Sequence, residues 1–255
     1  MIMNNIWDNK KIAEEIRNNG YYIFENYFNS EEIDKIKKSL LDILHYIKPD
    51  EEKDLQKKYY QIKKYNSKLK SHWYDIAPYN ITMLQLLHKP EMINFVKEFF
   101  NTDVVFSGRP AIHVHDDAND KLLEPHQEKN QIARDNLIFW SPLYDTNKEN
   151  GGLSIYKDSH KHGCFKHSKH SMAKPSHVDE SITNKFKRID LEIKTGSAIL
   201  MLSKVIHGGY QVKKKDTIRL VITERYNPLQ KIPFLKDENA PLRMLYNIDY
   251  NKIVD

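Results

Sequence analysis

The triplet His126-Gln127-Glu128 sets an imidazole and a carboxylate two residues apart. On an extended segment, residues i and i+2 project to the same face, so this spacing aims both groups at one point, as a metal chelate requires. A second imidazole, His207, follows about 80 residues later, at the end of a strand and directly before Gly208-Gly209. Two histidines and one carboxylate form the facial set of non-heme Fe(II) oxygenases, which leaves the other coordination positions for a cosubstrate and O2. Twelve residues beyond His207, Arg219 sits in the strongly β stretch TIRLVITERY. A buried arginine there could bind a dicarboxylate bidentately, a task lysine does poorly. An H-x-E triplet alone arises often by chance. The distal strand histidine and the strand-borne arginine are what turn it into a candidate site.

These residues belong to a chain of 255, a length that buries one substantial core and reads as one domain. Hydrophobic residues make up 40% and charged residues 29%, the balance of a soluble globular protein. The longest apolar run, Ala198–Leu202, is five residues, far short of the roughly 20 that a transmembrane helix needs. MIMNNIWDNKK lacks the charged-then-apolar layout of a signal peptide. The single cysteine, Cys164, excludes an internal disulfide and a cysteine-based zinc site. The expectation is a cytoplasmic protein with no membrane partner. A net charge of +5 is too mild to require nucleic acid. Histidine is the unusual entry in the composition, because nine of the 12 lie between His113 and His207.

The elements that position the candidate residues follow from periodicity. Residues 9–18 form a short amphipathic helix ended by Gly20, and YYIFENYF reads as a strand of six to eight residues. Asn29 with Glu32 forms a capping box that opens a helix whose apolar face is Ile33, Ile36, Leu40, Leu41 and Leu44. Two more helical stretches lie near 81–88 and 91–100, the second opened by Pro90. Residues 55–74 hold six lysines, several aromatics and no acid, which reads as an exposed helix face rather than a patch for an acidic partner. Beyond residue 102, short strands are expected near 103–107, 111–115, 135–142, 151–156, 187–194, 197–202, 205–212 and 217–226. Asn150-Gly151 gives a strong hairpin signal, and Lys213–Asp216 a second turn. About eight such strands in a row imply a closed or sandwiched β architecture such as a jelly roll. Residues 160–186 read as a long loop carrying five histidines and several lysines, an exposed basic loop that could act as a lid.

With these elements in place, PHQEKNQ, LIFWSPLYDTNKENGGLSIYKDSHKHG and KTGSAILMLSKVIHGGYQVKKKDTIRLVI together resemble the phytanoyl-CoA dioxygenase family. The resemblance covers most of residues 20–226, with His-x-acid, Trp-x-Pro-Leu, Glu-Asn-Gly, Ser-His and His-Gly elements in family order. It implies Fe(II)- and 2-oxoglutarate-dependent oxygenase chemistry with O2, on a double-stranded β-helix. The expected fold is mainly β: a cupin-like jelly-roll core over 102–228, N-terminal helices of 1–101 packed on it, and a C-terminal extension over 229–255, all one domain. His126, Glu128 and His207 would be the iron ligands. Arg219 would pair with the distal carboxylate of 2-oxoglutarate, and Trp140 would line the cosubstrate pocket. Glu149-Asn150-Gly151 and Ser159-His160 would be structural turns, so His160 is not expected to be a ligand.

The chain departs from the family pattern in three places. The acidic ligand is Glu128 where aspartate is more usual, which adds one methylene; as a carboxylate, it argues against the halogenase variants, where a small residue replaces the acid. His207-Gly208-Gly209 stands where His-Gly-Ser is often seen, so one hydroxyl contact to the cosubstrate is expected to be missing. Gly196-Ser197 replaces a more usual Gly-Asp.

The expected activity is hydroxylation of a small polar metabolite with release of succinate and CO2, without nucleic-acid or membrane partners; oligomeric state is left open. Arg109, Lys129 and Arg134 are basic residues near the site that could meet an anionic substrate group, although a solvated or paired charge is the favoured reading of each. A cupin-type site on His113-x-His115 fails on spacing, because Asn119 and Asp120 stand where its glutamate should be. The alternative from another class is a non-catalytic β-helix protein with a binding or assembly role. Loss of a ligand would favour it, and none is lost. Nucleic-acid binding would rest on the lysine stretch alone and would be strongly salt-dependent.

Overall fold

The computed structural model describes residues 7–108, 110–117, 124–128, 133, 135–168 and 177–238. Among the described residues, nine strands form two antiparallel sheets. They are β1 (Tyr21–Phe24), β2 (Val105–Ser107), β3 (Ala111–Asp116), β4 (Leu137–Pro142), β5 (Asn150–Tyr156), β6 (Arg188–Leu191), β7 (Ala198–Leu202), β8 (His207–Val212) and β9 (Ile218–Pro228). The larger sheet runs β1-β7-β4-β9-β2, with β3 also paired to β9, and the smaller runs β6-β5-β8. This is the mainly β, jelly-roll architecture the strand pattern predicts. Among the described residues, seven α-helices accompany it: α1 (Asn9–Asn19), α2 (Ser30–Ile47), α3 (Leu55–Tyr65), α4 (Leu69–Ile76), α5 (Ile81–Leu87), α6 (Pro90–Phe100) and α7 (Glu180–Thr183).

The central strands β4, β7 and β9 of the larger sheet are buried on both faces, which is why they read as nearly continuous apolar runs. Leu137, Phe139, Ala198, Leu200, Ile218, Leu220, Ile222 and Tyr226 pack with the helices in one core. Their strand neighbours Ile138, Trp140, Ile199, Met201 and Val221 pack toward the smaller sheet with Leu153, Ile155 and Leu191 in a second. Alternation along β9 therefore turns Arg219, Val221, Thr223 and Arg225 into the space between the sheets.

Local signals explain the helices that flank this frame. Asn29 and Glu32 form the expected capping box of α2, and Pro90 occupies the first turn of α6. The lysine-rich stretch departs from expectation. It folds into α3 and α4, which bury Tyr59, Ile62 and Trp73 against α2 rather than forming only a solvated face. Even Lys58 is buried, its ammonium paired with Asp50 at 2.6 Å. Tyr59 and Trp73 lie on the buried side of these helices while Tyr65 is exposed, and composition alone obscures that segregation.

Two further expectations are corrected. The first strand ends at Phe24, because the chain turns at Asn26, whose φ is 53°. Asn150-Gly151 does not close a hairpin between paired strands: β4 and β5 lie in different sheets. Asn147 caps that turn by accepting from the backbone N–H groups of Glu149 and Asn150, and Gly151 supplies the positive φ of 72° that carries the chain across. Likewise, Lys213–Asp216 joins β8 to β9 across the sheets. No helix among the described residues is long and apolar enough to cross a membrane.

Candidate metal centre

The segment 124–128 lies along β8 and continues the smaller sheet. His126 and His207 exchange both backbone hydrogen bonds, at 2.8 and 2.9 Å, and the Glu128 N–H donates to the Ser203 carbonyl at 3.1 Å. This pairing sets the two imidazoles side by side, with ring centroids 4.4 Å apart. The extended backbone points Glu128 to the same side as His126. Among the described residues, His126, Glu128 and His207 bring one ligand atom each to within 4.8 Å of one another. Glu128 Oε1 lies 3.6 Å from His126 Nε2 and 3.8 Å from His207 Nε2.

Hydrogen bonds select the nitrogen that faces this point. His126 Nδ1 donates to the Glu124 carbonyl at 2.8 Å, and His207 Nδ1 to the Val205 carbonyl at 3.0 Å. A carbonyl can only accept, so the proton of each neutral ring sits on Nδ1 and the Nε2 lone pair is left for a metal. Burial keeps His207 neutral by lowering its pKa, with neighbouring His126 acting in the same direction. Burial works against an ionised Glu128. The charge of Arg225 and the imidazoles of His126 and His207 outweigh it and hold the carboxyl well below its ordinary range. Two imidazoles and one carboxylate on one face are the donor set of a non-heme Fe(II) site, with no thiolate needed.

A cavity opens beside the three residues, lined on one side by Ile138, Trp140, Leu153 and Met201 and on the other by His113, Thr223, Arg219 and Arg225. Arg219 is only 5% exposed. Its Nη1 donates to the Gly152 carbonyl, while its Nε is buried without a partner. Burial pushes its pKa down to about 10, which still leaves it cationic at neutral pH. A buried cation with an unused donor is suited to an entering carboxylate. Gly209 makes room for it: a Cβ there would lie 3.0 Å from Arg219 Nη1. The glycine that stands for the more usual serine is therefore also what lets the guanidinium lie where it does.

Of the five residues singled out from sequence, Glu128, His207, Arg219 and Trp140 line this one space, and His126 is clustered with Glu128 and His207. His160 does not line it: its Nε2 lies 3.2 Å from the Arg17 carbonyl, under α1. Arg109, Lys129, Arg134, Asn119, Asp120 and His170 lie outside the described residues, as do residues 239–255. Sequence reasoning missed Thr223 and Arg225, and set His113 aside with the cupin-type site. His113 is held neutral, its pKa pushed down to about 3 by burial and by Arg225 and Arg219. It also missed Gln127, which points away from the metal position. Its Nε2 donates to the carbonyls of Gly163 and Lys204, and its Oε1 accepts from the Phe165 N–H. Those bonds fasten the start of the 160–186 segment to the strand that carries His126 and Glu128. That segment is not wholly irregular, since it contains α7 and the short helical turn Ser159–His162.

Comparison with known proteins agrees with this geometry. The chain is similar in fold to EctD from S. alaskensis, solved with 2-oxoglutarate and 5-hydroxyectoine: TM-score 0.62 at 15% identity, over 91% of this chain and 80% of that one. It is also similar to the epimerase SnoN, solved with Fe3+, alpha ketoglutarate and nogalamycin RO: TM-score 0.60 at 12% identity, over 86% and 83% of the two chains. A third is the carbocyclase SnoK from nogalamycin biosynthesis: TM-score 0.59 at 12% identity, over 87% and 84%. No curated protein matches the chain significantly. The family profile described as phytanoyl-CoA dioxygenase matches residues 16–220, a span that includes both candidate histidines, Glu128 and Arg219. With a jelly-roll frame, a His-x-Glu…His cluster and a buried arginine all inside that match, the chain belongs to the phytanoyl-CoA dioxygenase family, whose members work with Fe(II), 2-oxoglutarate and O2.

Proposed function

We propose that the chain is an Fe(II)- and 2-oxoglutarate-dependent dioxygenase that hydroxylates a small polar metabolite. The observation that carries this reading is the convergence of His126 Nε2, His207 Nε2 and a Glu128 oxygen within 4.8 Å, beside a cavity that holds the buried Arg219. When bound, the metal and cosubstrate supply the oxidising power, with succinate and CO2 released. The protein supplies position and exclusion of water.

His126, Glu128 and His207 hold the metal, with both imidazoles oriented by the Glu124 and Val205 carbonyls. Arg219 takes the distal carboxylate of 2-oxoglutarate. Trp140, Ile138 and Met201 form the apolar wall that keeps water from that pair and so strengthens it. His113 is uncharged and adds a polar but neutral group to the wall.

The whole chain acts as one domain, with residues 1–101 buttressing the core of 102–228 and residues 229–255 as an extension. Its lone Cys164 is free and exposed, in keeping with a reducing cytoplasm. The non-catalytic alternative has no feature in its favour, since every ligand and the arginine are retained. The test is incubation of purified protein with Fe(II), 2-oxoglutarate, O2 and a panel of small polar metabolites. One metabolite should gain one oxygen atom, with one succinate formed for each product molecule. Desaturation, epimerisation or ring closure of a metabolite, in place of oxygen gain, would overturn the hydroxylase assignment and retain the oxygenase one.

A further inference from the structure

We propose that Arg225 is a positioning residue for the metal-binding carboxylate: it fixes Glu128 so that one oxygen faces the metal and the other is held off it. The inference rests on the reading that His126, Glu128 and His207 hold Fe(II). Arg225 spans both oxygens of Glu128, and only Oε1 of the two also faces the imidazoles in these contacts. Oε1 faces the imidazoles, at 3.6 and 3.8 Å from their Nε2 atoms. Oε2 accepts from Arg225 Nε at 3.4 Å, while Arg225 Nη2 reaches Oε1 at 3.3 Å.

The guanidinium is itself fixed. Its Nη1 donates to Thr223 Oγ1 at 2.9 Å, and that hydroxyl lies 3.3 Å from His113 Nε2. Its backbone N–H donates to the buried carboxylate of Glu224 at 2.6 Å. A planar fork anchored at one end can span two carboxylate oxygens, which an ammonium cannot do. Arg225 and Arg219 share a face of β9 six residues apart. At about 3.3 Å per residue their backbones are roughly 20 Å apart, so the two arginines serve opposite ends of the cavity.

The chemistry explains why such a residue is useful here. Glu128 has one methylene more than the usual aspartate, and with it the freedom to turn both oxygens onto a metal. Three protein donors leave the remaining positions open for cosubstrate and O2. A fourth protein oxygen would close one of them. Arg225 keeps that position open.

The test compares wild type, Arg225→Gln, Arg225→Lys and Thr223→Val. Binding of Mn(II) or Fe(II) alone is measured first, then anaerobic binding of 2-oxoglutarate to the Fe(II) form through its visible charge-transfer band. In Arg225→Gln, metal binding alone should stay within a few-fold of wild type. Its 2-oxoglutarate affinity should fall, with a weakened or shifted band, and its succinate-forming activity should drop by about 10–100-fold. Arg225→Lys should restore this only in part. Thr223→Val, which frees only Nη1, should shift both readouts in the same direction by less, and it serves as the test should the arginine variants fail to fold. A crystal structure of Mn(II)-loaded Arg225→Gln should show both Glu128 oxygens on the metal. Unchanged 2-oxoglutarate affinity in Arg225→Gln, or a Glu128 that stays one-oxygen-bound without the arginine, overturns the inference. A wild type that shows the band beside an unchanged variant overturns this inference alone. A wild type that binds no metal overturns the underlying reading with it.

Discussion

Replacing Arg219 with alanine should separate cosubstrate binding from metal binding. The guanidinium is 5% exposed, and its Nε is buried without a partner, so an entering carboxylate meets a desolvated cation with a donor to spare. A two-point contact made of hydrogen bonds worth about 1.5–3 kcal/mol each amounts to about 3–6 kcal/mol. Truncating one partner of a buried charge pair costs about 2–5 kcal/mol. The ranges overlap at about 3–5 kcal/mol, which at 1.4 kcal/mol per tenfold weakens 2-oxoglutarate binding by roughly two to three and a half powers of ten. The variant also leaves the Gly152 carbonyl without its donor, at a cost of about 1–3 kcal/mol, offset by removal of a buried charge. His126, Glu128 and His207, proposed to hold the metal, and the Nδ1 anchors of the two histidines are untouched, so metal affinity should change little. The assay is calorimetric titration of Mn(II), then of 2-oxoglutarate into the Mn(II) form, for both proteins. A 2-oxoglutarate affinity within a few-fold of wild type would refute the reasoning and move the carboxylate-binding role elsewhere.

Three further outcomes are expected. Trp73→Ala removes a fully buried indole whose Nε1 donates to the Leu40 carbonyl. It should cost about 3–5 kcal/mol in a urea titration, whereas a loss under about 1 kcal/mol would mean that α3 and α4 are not part of the core. Gly209→Val places a side chain against Arg219 Nη1, so 2-oxoglutarate affinity should drop while the melting temperature hardly moves; equal affinity would contradict the close approach. The third concerns pH. Glu224 raises the pKa of His88 above its ordinary 6.5, so this pair's stabilisation is full below that value and is lost as pH rises through the folded pKa. Buried His113 and His115, with lowered pKa values, act oppositely and cost stability as pH falls below 6.5. Thermal unfolding against pH should therefore lose its alkaline-side decline in His88→Gln and keep its acid-side decline. An unchanged alkaline side would contradict the pairing.

Much of this frame can be read from residue order. All eight strands expected beyond residue 102 have counterparts in β2–β9, because the central strands of the larger sheet are covered on both faces and carry unbroken apolar runs. Caps at Asn29 and Pro90 mark helix starts because they act locally. The α3–α4 layer was hidden because lysine dominates its composition while its buried face depends on contacts with α2. Asn150-Gly151 identifies a turn, but no local signal tells a hairpin from a step between sheets. Among the site residues, His126, Glu128 and His207 carry spacing and a chemistry-bearing type. Arg225 carries a signal that was available and unused: it lies an even number of residues from Arg219 on one long strand, and so shares its face. Its contact with Glu128, 97 residues away in sequence, is set only by the fold.

The central claim is that His126, Glu128 and His207 form an iron site that accepts 2-oxoglutarate. Its most direct test is to add Fe(II) and 2-oxoglutarate to the metal-free protein under anaerobic conditions and record the visible spectrum, then admit O2 and follow succinate. The account predicts a charge-transfer band that decays with O2 as succinate appears in wild type, and no band in His126→Ala. Absence of the band in wild type, or an undiminished band in His126→Ala, would contradict it.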